Sequence, residues 1–175
     1  MKSVIIVGSA RDSGNTVGVC KDVALNINAD LINLNEHDVK PFDYEFKNKD
    51  DDFHRLMDKI MSYDNFILAS PVYWFSPSAQ LKAFIDRLSD FLTTEKEKGR
   101  KLRQKTAAVI ATGHSSKIDS CFENIFKLTY KHLGIKHLGL LYCSFNEEVP
   151  RSKNTQAIKS FCKVLSNRGP IALGM

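Results

Sequence analysis

Five short apolar runs alternate with amphipathic stretches along the whole chain, and this alternation constrains the fold more than any other feature. The runs are residues 3–8 (SVIIVG), 30–34 (DLINL), 65–70 (NFILAS), 106–112 (TAAVIAT) and 137–144 (HLGLLYCS). Between them lie stretches with helical spacing. Gly14 to about Asn26 puts Val17, Cys20, Val23 and Ala24 on one face, and residues 52–62 align Phe53, Leu56, Met57 and Ile60. Ser78 to Leu92 carries Leu81, Phe84, Ile85, Leu88, Phe91 and Leu92, and further helices are expected over Lys117–Leu133 and from Ser152 to about Asn167. Lys96 to Lys105 reads as a charged connection. Strands that alternate with helices call for a parallel sheet covered on both faces. The expected fold is therefore α/β, a three-layer, doubly wound sheet of five strands in a single domain spanning residues 1–175.

Composition supports a packed interior, since 43% of the residues are hydrophobic. No apolar stretch is long enough to span a membrane, and Val4–Val7 is too short for the core of a signal peptide, so a cytoplasmic location is expected. Cys20, Cys121, Cys143 and Cys162 are widely separated and form no C-x-x-C pair, which points to reduced, mostly buried thiols rather than a zinc or redox motif. The net charge of +5 is compatible with phosphate ligands, but the basic residues form no long stripe, so no nucleic-acid partner is expected.

In a doubly wound sheet, ligands bind beyond the C-terminal ends of the strands. The first such loop, Ser9 to Thr16, follows the first strand directly. Ser9, Ser13 and Thr16 bring hydroxyls, Asn15 an amide and Arg11 a fixed charge, all next to the free N–H groups of a helix start. The loop reads as a phosphate cradle, with an ordinary turn and Ser/Thr helix cap as the competing reading. Both G-x-G-x-x-G and the lysine of G-x-x-x-x-G-K-[ST] are missing, which favours a terminal monophosphate. The third strand runs into Ser70-Pro71-Val72-Tyr73-Trp74-Phe75-Ser76-Pro77, with three consecutive aromatics between prolines. They either face a flat heteroaromatic ligand or close a hydrophobic corner. The fourth strand ends in Thr112-Gly113-His114-Ser115-Ser116, where His114 is a ligand contact or a plain loop residue. Together the three loops describe a site for FMN rather than for a sugar phosphate.

On Gly8–Thr16, Ser70–Trp74 and Leu81–Arg87 (LKAFIDR), the chain resembles the NADPH-dependent FMN reductase and flavodoxin-like oxidoreductase family over nearly its whole length. The resemblance implies strand order 2-1-3-4-5. It also implies that Ser9, Arg11, Ser13, Asn15 and Thr16 surround the FMN phosphate. Pro71, Val72, Tyr73 and Trp74 would lie along the ribityl and ring portion, with Thr112, Gly113 and His114 on the ring's other side. Iron–sulfur relatives carry clustered cysteines after the second strand; the corresponding NEHDVKPFDYEFKNKDDD has none, so no such centre is expected. Phe42, Tyr44 and Phe46 alternate there instead, as an edge strand, a flavin lid, a dimer contact or a flap packed on itself. Asp50-Asp51-Asp52 is expected to open a helix rather than bind a cation, and EKEKGRKLRQK is either a solvated face or an attraction for the extra phosphate of NADPH.

The resulting expectation is an oxidoreductase that passes a hydride from NADPH or NADH through FMN to a quinone, free flavin or nitroaromatic-type acceptor. No side chain is required as nucleophile or base, and no metal is required. The alternative is an electron-transfer protein without its own NAD(P)H turnover, which the basic charge disfavours. Lys82, Asp86 and Arg87 are expected on the outer side of their helix. With Phe75, Pro77 and the 42–46 aromatics, they suggest a homodimer interface.

Overall fold

The computed structural model describes residues 1–149 and 151–167. Its strands are β1 (Ser3–Val7), β2 (Asp30–Asn33), β3 (Asn65–Tyr73), β4 (Ser76–Pro77), β5 (Thr106–Gly113) and β6 (Lys136–Ser144). Its helices are α1 (Asn15–Ile27), α2 (Phe53–Ile60), α3 (Ala79–Arg87), α4 (Asp90–Thr93), α5 (Lys96–Lys101), α6 (Ser120–Leu133) and α7 (Arg151–Ser166). The sheet order is β2-β1-β3-β5-β6, all parallel, while β4 pairs only with β3, antiparallel. With β4 set aside as a hairpin arm, this is the expected order of five parallel strands.

Burial on both faces explains why the strands read as continuous apolar runs. In β1, Val4 and Ile6 face a core with Phe66, Leu68, Val109, α2, α3 and α6, and Ile5 and Val7 face one with Ile67, Ala69, Ile110, α1 and α7. Gly8 allows α3 to lie close to the end of β1, because a Cβ there would stand 2.5 Å from that of Leu81. Ser78 secures the contact: its hydroxyl donates to Gly8 O at 2.6 Å and accepts from Leu81 N at the start of α3. No helix among the described residues is long and apolar enough to cross a membrane.

Three expectations are corrected. The continuous helix over 78–92 breaks after Arg87. Bonds from residue i to i−3 (Leu88 to Ile85, Ser89 to Asp86, Phe91 to Leu88) tighten the chain there into a turn before α4. The charged connection over 96–105 is itself largely helical, through α5 and a 3₁₀ turn at Leu102–Gln104 that buries Leu102. Most consequentially, Arg87 does not face outward. It is 2% exposed, its guanidinium stands over the Phe53 ring at 4.7 Å, and it bonds Asp51, Asp90 and the carbonyls of Lys40 and Asn48. Lys82 and Asp86 do lie at the surface, as an ion pair.

This arginine explains the acidic triplet. Asp51 Oδ1 accepts from Phe53 N at the start of α2, and Asp51 Oδ2 accepts from Lys40 N and Arg87. Asp52 accepts from Asp38 N, which holds its carboxyl below the ordinary carboxylate range. The triplet thus anchors the long segment 37–52 as well as opening a helix. Within that segment the Phe42 ring packs edge-on against Tyr44 and Phe46, with centroids 5.0 and 6.0 Å away, and no strand forms. Of the four cysteines, Cys20, Cys143 and Cys162 are buried and Cys121 is exposed.

Candidate functional site

The first loop is built to hold its shape while leaving donors free. Asn35, just past β2, donates to Ser9 O at 2.8 Å and to Asp12 Oδ1 at 2.9 Å; Asn33 donates to the same Asp12 oxygen at 2.9 Å. These amides, Asn35 first and Asn33 second, hold the Asp12 carboxyl below its ordinary range. Ser9 Oγ accepts from Arg11 N at 3.3 Å. Gly14 precedes α1 and offers no side-chain cap, so the first N–H groups of the helix stay available at its positive end. The competing reading, a capped turn, is therefore not what the loop forms.

The second and third loops meet the first at one sheet edge. Thr16 and Thr112 share a buried 2.6 Å hydrogen bond between their hydroxyls. Phe145 N donates to Gly113 O at 2.9 Å, which draws the end of β6 to the same place. Gly113 is required by Tyr142, because a Cβ there would stand 2.7 Å from the phenol oxygen. Free of that clash, Tyr142 donates to Ser115 O at 2.7 Å and steadies the loop, and burial raises its own pKa above the ordinary phenol value.

These contacts enclose a cleft of about 390 Å³. Ser9, Arg11, Asn15 and Thr16 line one end of it, and Pro71, Val72, Tyr73, Thr112, Gly113 and His114 line the other. Ten of the twelve expected residues are thus gathered in a single cleft. Ser13 is exposed at the loop tip and outside the lining. Trp74 borders a neighbouring compartment of about 230 Å³ instead. The 42–46 aromatics line neither space, so they form no lid over this cleft.

Phe145 is a lining residue that sequence reasoning missed. Its signal was available: it is an aromatic placed one residue past the last strand, at the same sheet edge as the other loops. The cleft grades from charged and hydroxyl groups at the α1 end to apolar surface at the other. That gradient fits an anionic group joined to a flat ring. Among the described residues, no group of three or more His, Cys, Asp or Glu side chains is placed to hold a metal ion.

The fold and cleft together define a flavodoxin-like flavoprotein. Residues 1–149 match the NADPH-dependent FMN reductase family. The chain belongs to this family: it is an FMN-dependent oxidoreductase that uses NAD(P)H. It is 27% identical to YwqN of Bacillus subtilis, named by inference as an NAD(P)H-dependent FMN-containing oxidoreductase, over 98% of this chain and all of that one. It is 32% identical to an iron–sulfur flavoprotein of Methanocaldococcus jannaschii over 66% of this chain and 63% of that protein. Among solved structures, the Trp repressor binding protein of Bacillus subtilis superposes with a TM-score of 0.74 at 23% identity, covering 96% of this chain and 99% of that one.

Proposed function

We propose that the cleft seats FMN with its phosphate against the α1 N-terminus, and that electrons from NADPH or NADH leave through it to a quinone, free flavin or nitroaromatic-type acceptor. One observation carries this reading: an uncapped helix start flanked by Ser9, Arg11, Asn15 and Thr16 opens onto a cleft that turns apolar toward the second and third loops. Arg11 supplies the fixed charge and the hydroxyls and amide supply directed donors. Ser13 belongs to the set only as a further donor from the loop tip. Pro71, Val72 and Tyr73 on one side and Thr112, Gly113 and His114 on the other flank the ring, with Trp74 beyond them. Bound FMN supplies the hydride chemistry; the chain binds, orients and limits access of water, and no side chain acts as nucleophile or base.

The protein is further proposed to work as a single domain in the cytoplasm and as a homodimer. Tyr73, Trp74, Phe75, Leu92 and Leu128 are large apolar side chains left exposed, and a groove of about 320 Å³ runs between α3–α4 and α6. The 42–46 segment and the buried Arg87 drop out of that interface. Acid release followed by chromatography is expected to give FMN, and recovery of FAD alone overturns the cofactor placement. The purified protein is expected to oxidise NAD(P)H by itself in the presence of acceptor. Turnover only when a separate reductase is added favours the electron-carrier reading. Light scattering at micromolar concentration is expected to give twice the mass of one chain.

A further inference from the structure

The aromatic loop is a hairpin with an unusual tip. Tyr73 pairs with Ser76, so Trp74 and Phe75 form a two-residue turn with φ of 48° and 63°. Turns with two positive φ angles favour Asn-Gly, and bulky residues adopt this conformation only against strain. The strained tip is also exposed: Trp74 is 92% accessible. Folding alone gains little from an indole held there.

Beneath the tip lies the compartment of about 230 Å³. Trp74 and Phe75 form one wall, and Phe122 and Ile118 bring apolar surface from the start of α6 and the loop before it. The Cys121 thiol reaches Phe75 O at 3.9 Å, which rests the hairpin on α6. Tyr142, latched to Ser115, lines another side. The compartment shares Val72, Gly113 and His114 with the main cleft, so the two spaces are neighbours across these residues. Lys117 lines it too, is exposed, and makes no ion pair among the described residues.

We infer that this compartment seats the electron acceptor, a planar molecule of one or two fused rings bearing a carbonyl or anionic oxygen toward Lys117; the inference rests on the oxidoreductase reading of the adjoining cleft. The space lies below the range of about 300–1,000 Å³ usual for drug-sized ligands, so a three-ring free flavin with its side chain is a poor fit. The Trp74 indole gives the ring a flat face to stack on. A quinone reduced there takes one hydride that NAD(P)H supplied and one proton from water, leaving a hydroquinone and NAD(P)+. As electrons arrive, charge builds on the carbonyl oxygen, and the Lys117 ammonium is placed to stabilise it.

The test uses FMN-loaded protein with NAD(P)H and three acceptors: menadione, 1,2-naphthoquinone-4-sulfonate and riboflavin. Wild-type kcat/KM is expected to be about tenfold or more higher for the two quinones than for riboflavin. Trp74→Ala is expected to raise KM for both quinones about tenfold, and Trp74→Phe to restore most of that loss, an effect of the ring and not of the fold. Lys117→Gln is expected to lower the sulfonate-to-menadione preference about fivefold. Riboflavin reduced as well as the quinones, or an unchanged KM in Trp74→Ala, overturns the acceptor compartment while leaving the oxidoreductase reading intact. A wild-type protein that binds FMN yet oxidises NAD(P)H with no acceptor, dioxygen included, overturns both.

Discussion

The loop at residues 8–16 and the segment at 37–52 are both irregular, both rich in Asp, Asn or Ser, and both lead into a helix. The molecule uses them in opposite ways. In the longer segment, Asp43, Asp51 and Asp52 turn their carboxylates inward onto backbone N–H groups, and Asp51 takes the buried Arg87 as well. Polar groups there hold the chain to itself. The first loop is braced from outside, by Asn33 and Asn35, so that its own helix start and the Arg11 side chain stay uncommitted. A binding loop is marked less by the residue types it contains than by the donors it leaves unused after its own backbone is satisfied.

The largest effect is expected where polar groups are committed. Asp51→Ala leaves Arg87 buried with half of its countercharge gone, and removing one partner of a buried pair costs about 3–5 kcal/mol. That is a large share of a domain stability of about 5–15 kcal/mol. Urea unfolding is expected to show the loss as a lower midpoint. A change below about 1 kcal/mol would mean that the long segment is not anchored by this pair.

The uncommitted loop is expected to respond in affinity. Arg11→Ala with Thr16→Val removes one charge-assisted contact and one hydroxyl, together worth about 2–4 kcal/mol of phosphate binding. FMN affinity, followed by quenching of flavin fluorescence, is expected to fall at least thirtyfold, in line with about 1.4 kcal/mol per decade. Thr16→Val also removes the bond to Thr112, so a modest loss of stability accompanies it. Full flavin affinity in the double variant would place the phosphate elsewhere.

The aromatic hairpin combines the two behaviours, because its tip carries strain in a position that serves no internal contact. Trp74→Gly relaxes a left-handed backbone that costs a bulky residue about 1–3 kcal/mol, partly offset by the unfolded-state entropy of glycine. The net expectation is a gain of about 1 kcal/mol in stability, read as a raised Tm, together with weaker quinone use. A destabilised Trp74→Gly variant would show that the indole contributes to the fold after all.

Much of this was legible in the sequence because it depends on periodicity. The five parallel strands, their order once the family resemblance was drawn, and the gathering of three loops at one edge all follow from apolar runs that end at loop residues. What was not legible depends on partners distant in sequence. Arg87 sits in a helix whose neighbouring pattern reads as outward, and only Asp51, 36 residues earlier, turns it inward. The break after it, read as one helix over 78–92, comes from a local switch in hydrogen bonding with no glycine or proline to announce it. Trp74 and Phe75 carry no Asn-Gly signal, so their turn was read as an irregular loop. Phe145 and Tyr142 reach the site only because β6 pairs beside β5.

The smallest effect, and the sharpest on the bracing of the first loop, concerns Asp12. Its carboxyl ionises below the unfolded value of about 3.9, because Asn35 and then Asn33 donate to the charged form. The ionised state is the one favoured by the fold. Its contribution is complete above the unfolded value and is lost as pH falls through the lower folded value, so it is present throughout the neutral range. Asn35→Ala removes the leading donor and also the bond to Ser9 O. The Asp12 titration, followed by carboxyl carbon chemical shift, is expected to move up toward the ordinary carboxylate range, while stability at neutral pH changes little because the group is exposed. Flavin release on acidification is expected to begin at a higher pH in the variant, since the loop that holds the phosphate has lost its outside support. If Asn35→Ala leaves the Asp12 titration where it was, the amides are not what sets the carboxyl. If the titration moves and flavin release does not, the bracing is separable from binding, and the two regions differ in charge more than in purpose.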